Sequence, residues 1–206
     1  MGVYQRFCLP RVMNFSCSSK PTTRQRQKVV PLATGRVLEV GLGTGLNLPF
    51  YDSRRVTKLW GLEPFEGMRR RAVKSIAASP LEIELLDLPG EEIPLEDASV
   101  DTVVITYTLC TIPEADRALR QVHRVLKPGG KLLFTEHGKA PDAAVRKWQD
   151  RVNPVWKRIG GGCNLNRDIP ALLHAAGFRT DTIEANYIPG WKPASFNYWG
   201  VAAAQR

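Results

Sequence analysis

A glycine-rich turn, Glu39-Val40-Gly41-Leu42-Gly43-Thr44-Gly45, limits most strongly what this chain can fold into. The apolar run at residues 36–40 leads into it and reads as a buried parallel strand. Glycines let the backbone turn sharply and approach a ligand closely, as in the nucleotide-binding turns that join a strand to a helix. A G-x-G pattern alone is weak, and its context is what strengthens it. Glu63 stands 18 residues past Gly45, at the end of the next expected strand. A carboxylate there can accept both ribose hydroxyls of an adenosine. Two details separate the turn from a dinucleotide site. It lacks the third glycine at the G-x-G-x-x-G spacing, and Glu39 would oppose a pyrophosphate but suits a cationic amino-acid group.

The rest of the chain alternates strand-like and helix-like segments. Residues 57–62, 81–86 and 100–106 read as strands, the last a β-branched run expected at the sheet centre. A helix is expected from Gly45 to Tyr51, limited by Pro49. A second should run to about Ala77 with Pro64 in its first turn. A third fits residues 113–126, where Ala115, Leu119, Val122, Val125 and Leu126 recur at helical spacing. Lys127-Pro128-Gly129-Gly130 should stop it and turn into a strand at 131–136. Helices at about 142–159 and 168–176, the second closed by Gly177, precede strands at 180–187 and 196–204 joined through Pro189-Gly190-Trp191. Such repeats predict an α/β, Rossmann-like fold: seven strands, mostly parallel with one antiparallel, and helices on both faces.

At 206 residues, with 43% hydrophobic and 24% charged residues, the chain suits one domain with its own core. No apolar run approaches the roughly 18 residues needed to cross a bilayer. Arg6, Pro10 and Arg11 interrupt the N-terminal apolar residues, so a secretory h-region is not expected, and position 6 fails the myristoylation pattern. A cytoplasmic location is the simplest expectation. Residues 1–36 hold seven basic residues (Arg6, Arg11, Lys20, Arg24, Arg26, Lys28 and Arg36) and no acid, while the remaining 22 basic residues nearly balance 20 acidic ones. Residues 1–34 are therefore expected to form a basic helical arm or lid on a domain at 35–206. Its charge suits a solvated helix face, nucleic acid, an anionic lipid surface or an acidic ligand; peripheral contact with an anionic membrane is the partner expected of it, and nucleic acid is not. Cys8, Cys17, Cys110 and Cys163 are scattered, with no C-x-x-C, so reduced thiols and no metal are expected.

The series V-L-E-V-G-L-G-T-G-L-N (37–47), Glu63, E-E-I-P (91–94) before V-D-T-V-V, and L-K-P-G-G-K-L-L-F (126–134) resembles the class I S-adenosylmethionine-dependent methyltransferases over residues 35–137. The basic arm, T-L-C-T-I-P (108–113), F-T-E-H-G (134–138) and G-G-C-N-L (161–165) resemble, more narrowly, a subgroup of small bacterial methyltransferases. That subgroup is related to the membrane-associated thiol S-methyltransferases of animals. The resemblance implies S-adenosylmethionine as methyl donor, with S-adenosylhomocysteine as product. It places Glu39, Gly41, Gly43 and Gly45 around the methionine portion, and Glu63 on the ribose with Pro64 and Phe65 near the adenine. The family's adenine-reading Asp aligns with Pro89, next to Gly90 and Glu91, so Asp87, Glu91 or the backbone remain alternatives. Thr106 and Tyr107 would flank the transferable methyl.

Methyl transfer is an in-line displacement at an activated sulfonium, so the protein mainly holds donor and nucleophile close and excludes water. His137 and Tyr107 are the candidate catalytic residues, His137 because an imidazole titrates near neutral pH. The alternative is that Glu136 and His137 fix a loop, and Cys110 reads as a small buried residue. Asn164 suits a substrate contact, or else Asn164 or Asn166 caps the next helix. Trp148, Trp156, Trp191, Tyr187 and Trp199 suit either a substrate wall or packing. The acceptor expected is a small-molecule, lipophilic one, a thiol favoured, with a phospholipid amine or a quinone as alternative. Thr106-Tyr107-Thr108-Leu109 lacks an Asn/Asp-Pro-Pro-Tyr-like tetrapeptide, which weakens planar amines and nucleic-acid bases as acceptors. A non-catalytic module binding the cofactor, a membrane or RNA is the reading of another class.

Overall fold

The computed structural model describes residues 9–205. Arg6, Cys8 and the reading of the N-terminal leader at residues 1–8 lie outside the described residues. Two helices come first, α1 (Leu9–Cys17) and α2 (Lys20–Val29). There follow β1 (Gly35–Val40), β2 (Val56–Leu62), α3 (Glu66–Ala77), β3 (Ile83–Leu86), β4 (Val100–Thr106), α4 (Ala115–Val125) and β5 (Leu126–His137). The chain then forms α5 (Ala143–Ile159), α6 (Ile169–Ala175), β6 (Phe178–Tyr187) and β7 (Phe196–Ala204). The strands make one seven-stranded sheet in the order β3-β2-β1-β4-β5-β7-β6. β1 to β5 pair in parallel, and β7 runs antiparallel to both β5 and β6. The order reverses at β1 and β4, and an open α/β sheet binds its ligands at the carboxyl ends of the strands around such a switch point.

β4 shows why this sheet holds. Val103 and Ile105 belong to the apolar cluster on one face, and Val104 to the cluster on the other, with no exposure at any of the three. Burying each side chain is worth roughly 1.5–3 kcal/mol. One cluster is covered by α4, through Ala115, Ala118, Leu119 and Val122, and by α6, through Ile169 and Leu173. The other takes Val29 from α2 and Ala72 from α3. The basic arm therefore packs into the body of the fold through its apolar residues. α5 has one buried residue, Gln149, whose amide donates to the carbonyls of Gly138, Leu165 and Pro193 and accepts from Ala140 N–H.

Three local expectations are corrected. Residues 45–51 form turns and a 3-10 segment, Leu48–Phe50, in place of a helix. Gly45 is left-handed (φ +82°) and Pro49 removes an N–H, which leaves no room for a regular first turn. Pro64 lies outside α3, whose N-cap is Phe65, because Glu63 is still held in strand-like pairing through its N–H to Leu86 O. Lys127–Gly130 does not separate α4 from a later strand. β5 starts at Leu126, and its register against β4 shifts between the pairs Val100–Leu126 and Thr102–Lys131, with Gly129 left-handed.

Candidate active site

The glycine turn leaves β1 and is fastened to the end of β2. Gly41 N–H and Leu42 N–H both donate to Leu62 O at 2.9 Å, and Gly43 N–H donates to Glu63 Oε2 at 2.9 Å. Gly41 and Gly43 are left-handed (φ +79° and +61°). A Cβ at Gly41 would strike the Thr108 side chain at 2.3 Å, whereas one at Gly43 would meet only Gly41 O at 4.0 Å. Gly43 thus keeps open space over the turn, the property a closely approaching ligand needs.

That space belongs to a cavity of about 590 Å³ at the carboxyl ends of β1, β2 and β4. Its wall includes Glu39, Gly41, Gly43, Glu63, Pro64, Phe65, Gly90, Glu91, Thr106 and Tyr107. Of the residues expected at the donor, Gly45 stands behind this wall, where a Cβ would press on Leu48 and Ser75 at 3.0 Å. Glu63 is 5% exposed and accepts from Gly43 N–H and Phe65 N–H, one on each oxygen. Burial raises its carboxyl pKa, opposed by those two hydrogen bonds. Each oxygen keeps a lone pair for a ribose hydroxyl. Asp87 does not line the cavity; it forms a two-pronged ion pair with Arg69, 2.7 Å on one arm. Leu88, Pro89, Gly90 and Glu91 occupy the wall there instead, and Glu91 Oε1 accepts from Glu114 N–H at 3.2 Å.

Glu39 is 1% exposed, and both of its oxygens are used: Asn47 Nδ2 donates to one at 2.9 Å and Tyr51 Oη to the other at 2.8 Å. Burial outweighs these bonds and pushes its carboxyl up to about 7. Asn47 also donates to Thr106 Oγ1 at 3.0 Å and accepts from Arg26 Nη1 at 3.2 Å. Arg26 reaches in from α2, is 5% exposed, also donates to Thr106 Oγ1, and lies 5.1 Å over the Tyr107 ring. Its Nε is buried without a hydrogen-bond partner among the described residues. Sequence reasoning missed Arg26, Asn47 and Tyr51 as members of this site. α1 adds Met13, Asn14 and Cys17 to the wall, and Thr44 Oγ1 donates to Asn14 Oδ1 at 2.5 Å across the mouth of the turn.

The two candidate catalytic residues are placed differently. Tyr107 sits at the cavity in a left-handed conformation (φ +54°), a strained state for a bulky residue. Its hydroxyl donates to the buried Asn197 Oδ1 at 2.8 Å, and burial raises its pKa, so it is a neutral phenol. His137 does not line the cavity; its Nε2 lies 3.0 Å from Cys163 Sγ behind the wall. Glu136, fully buried, gathers the N–H groups of Thr108, Leu109 and Cys110 and so fixes the loop after β4. Asn164 does not line the cavity, and its amide donates to Cys110 O and Gly162 O. Asn166 pairs with Asp150, and the cap of α6 is Asp168, which accepts from Ala171 N–H. None of the five candidate wall aromatics lines the cavity; Trp156 and Trp191 stack at 5.3 Å, and Trp199 is buried beneath Lys28.

A doubly wound sheet with an open glycine turn at its switch point and a buried carboxylate at the end of the next strand is the arrangement of a nucleotide-type ligand site. Residues 38–134 match the family model described as a methyltransferase domain. The chain is 34% identical to the human thiol S-methyltransferase TMT1B, over 98% of this chain and 89% of that one. It is 33% identical to a phosphatidylethanolamine N-methyltransferase of Cereibacter sphaeroides over 65% of this chain and 68% of the other. The matched part spans 66% of the rat TMT1B chain. The fold superposes on an S-adenosylmethionine-dependent methyltransferase from Thermotoga maritima with a TM-score of 0.68 at 20% identity, covering 98% of each chain. The chain belongs to the S-adenosylmethionine-dependent methyltransferases, with S-adenosylmethionine as its methyl donor.

Proposed function

We propose that the protein transfers the donor's methyl group to the sulfur of a small lipophilic thiol. The observation that carries this is the near full-length match to a thiol S-methyltransferase. Met13, Leu46, Met68, Leu88 and Ile112 give the cavity wall an apolar stretch for such an acceptor, beside the charged Glu92, Glu114 and Arg117. The bound donor supplies an electrophilic methyl carbon on a sulfonium. The chain's own residues bind and orient it. Glu63 takes the ribose hydroxyls, Glu39 answers the amino-acid ammonium, and Arg26 answers its carboxylate, each at the cavity wall. Gly90 and Glu91 border the adenine end. Thr106 and Tyr107 close the space beside the methyl, and Tyr107 is a positioning residue because its phenol remains protonated. The thiol enters as its thiolate, its sulfur attacks the methyl carbon as the bond from that carbon to the donor's sulfur breaks, and the products are a methyl thioether and S-adenosylhomocysteine. No histidine among the described residues lines the cavity, and in this reading the acceptor loses its proton to solvent before transfer.

In this reading the arm is a lid: α1 and α2 cover the donor, and Asn14 latches it to the turn at Thr44. Peripheral attachment to an anionic membrane through the exposed basic residues of the same arm is compatible with that role. The test is a methyl-transfer screen with labelled donor against alkyl and aryl thiols, phosphatidylethanolamine vesicles and demethylated quinols. Label appearing in thioethers at rates at least tenfold above the other two classes supports the proposal. Label in the phospholipid or quinol alone overturns it.

A further inference from the structure

Behind the cavity wall, three residues that the chain keeps far apart converge. Cys110 lies in the loop after β4, His137 ends β5, and Cys163 follows Gly160-Gly161-Gly162. One sulfur from each cysteine and one ring nitrogen of the histidine all lie within 4.8 Å of one another. Both cysteines are reduced and buried, 1% and 6% exposed. The group is held from several sides. Glu136 takes the Cys110 N–H, and the Asn164 backbone and side-chain amides both donate to Cys110 O, at 2.8 and 2.9 Å. The segment carrying Cys163 is thereby laced to the segment carrying Cys110.

The histidine's partners are unusual. His137 is half-buried, and a ring nitrogen closed off from solvent is normally hydrogen-bonded. Here Nε2 meets Cys163 Sγ at 3.0 Å, and Nδ1 is buried with no hydrogen-bond partner among the described residues. Two sulfurs and an imidazole nitrogen are the donor set that a thiophilic d10 cation prefers. Tetrahedral zinc with bonds of about 2.3 Å to sulfur and about 2.0 Å to nitrogen sets its ligand atoms roughly 3.5–3.8 Å apart. The observed spread, 3.0 Å to within 4.8 Å, brackets that range.

We propose that Cys110, His137 and Cys163 form a binding site for one zinc-class divalent cation. Each thiol gives its proton to solvent as its sulfur–metal bond forms, and the neutral imidazole donates a lone pair. Two thiolates cancel the dication, so no net charge is buried. None of the three residues lines the cavity, yet Thr111, Gly161 and Gly162 beside them do. The ion therefore clamps two loops of the cavity wall together and takes no part in methyl transfer.

The test uses the full chain, stripped with a chelator under reducing conditions and titrated with zinc against a chromophoric competitor, and separately with cobalt. The expected result is one zinc per chain, with thiolate-to-cobalt charge-transfer absorption. Cys110→Ser and Cys163→Ser should each weaken zinc binding by about 100-fold or more. The cobalt spectrum of the unaltered protein decides the matter even if the variants fold poorly. Less than stoichiometric zinc, a cobalt complex without the sulfur band, or zinc affinity unchanged in a folded Cys163→Ser protein each overturns the proposal. So does a Cys110–Cys163 disulfide found by peptide mapping of the untreated protein.

Discussion

Arg26 on α2 and Thr106 at the end of β4, 80 residues apart in sequence, hydrogen-bond to each other at the wall of the cavity. That bond brings a basic N-terminal segment into the wall of the cavity proposed to hold the methyl donor. If Arg26 answers the donor's carboxylate, Arg26→Ala weakens S-adenosylmethionine binding by about 10- to 100-fold, the usual value of a charge-assisted hydrogen bond. Calorimetry with 5′-methylthioadenosine, which lacks the amino-acid group, should show no comparable loss. Equal losses for both ligands would mean that Arg26 only supports the fold.

Glu39 gives a pH dependence with a defined sign. Burial holds its pKa at about 7 against an ordinary 4.5, so in the donor-free protein it takes up a proton as pH falls through 7. The donor's ammonium prefers the ionised form, and its dissociation constant should rise as pH drops from 8 to 6. Glu39→Gln should flatten that dependence and bind more weakly at pH 8. The stability effect runs the other way. A raised carboxyl pKa favours the folded state below 4.5, and that advantage is lost as pH rises to 7. Glu39→Gln is therefore more stable to urea at pH 8, by on the order of 3 kcal/mol at most.

Gly43 and Gly90 both line the cavity but should fail differently. A Cβ at Gly43 meets open space, so Gly43→Ala costs only the left-handed strain of about 1–2 kcal/mol, while the added methyl occupies the donor's approach. Donor affinity should fall much more than stability. At Gly90 a Cβ would come within 2.9 Å of Val40 Cγ1 and 3.2 Å of Ile112 Cδ1, so Gly90→Ala should lower the melting temperature first. Paired thermal and calorimetric measurements on the two variants check this.

Tyr107→Phe removes the bond to Asn197 and leaves its oxygen without that donor, a loss of about 1–3 kcal/mol in stability. The rate of methyl transfer should fall less than tenfold, and its pH profile should continue to follow ionisation of the acceptor thiol. A new or displaced limb in that profile would assign proton transfer to the phenol.

Much of the fold was legible because its signals are local. The β-branched run at 100–106 and the strand at 196–204 are bounded as their composition predicts, and α4 follows its apolar spacing. The turn itself was equally legible, since Gly41 and Gly43 set its backbone conformation at a fixed spacing after Glu39. What could not be read depends on distant residues. Arg26 looks like six other basic residues near the N-terminus until the helix is docked and buries it. Asn47 and Tyr51 sit where a helix was expected, and only the left-handed Gly45 with Pro49 turns them back onto Glu39. Cys110, His137 and Cys163 have no local spacing because three separate loops and strand ends bring them together. Phe65, in contrast, needed only the two-residue reach from Glu63.

The central claim is that the glycine turn and Glu63 form the donor site, and Glu63→Ala tests it most directly. Glu63 fixes Gly43 and Phe65 through their N–H groups and has lone pairs left for the ribose. Titration of the folded variant with S-adenosylmethionine should show binding at least tenfold weaker than in the unaltered protein, with its far-ultraviolet circular dichroism unchanged. Binding of unaltered affinity by a folded Glu63→Ala protein would contradict this assignment of the donor site.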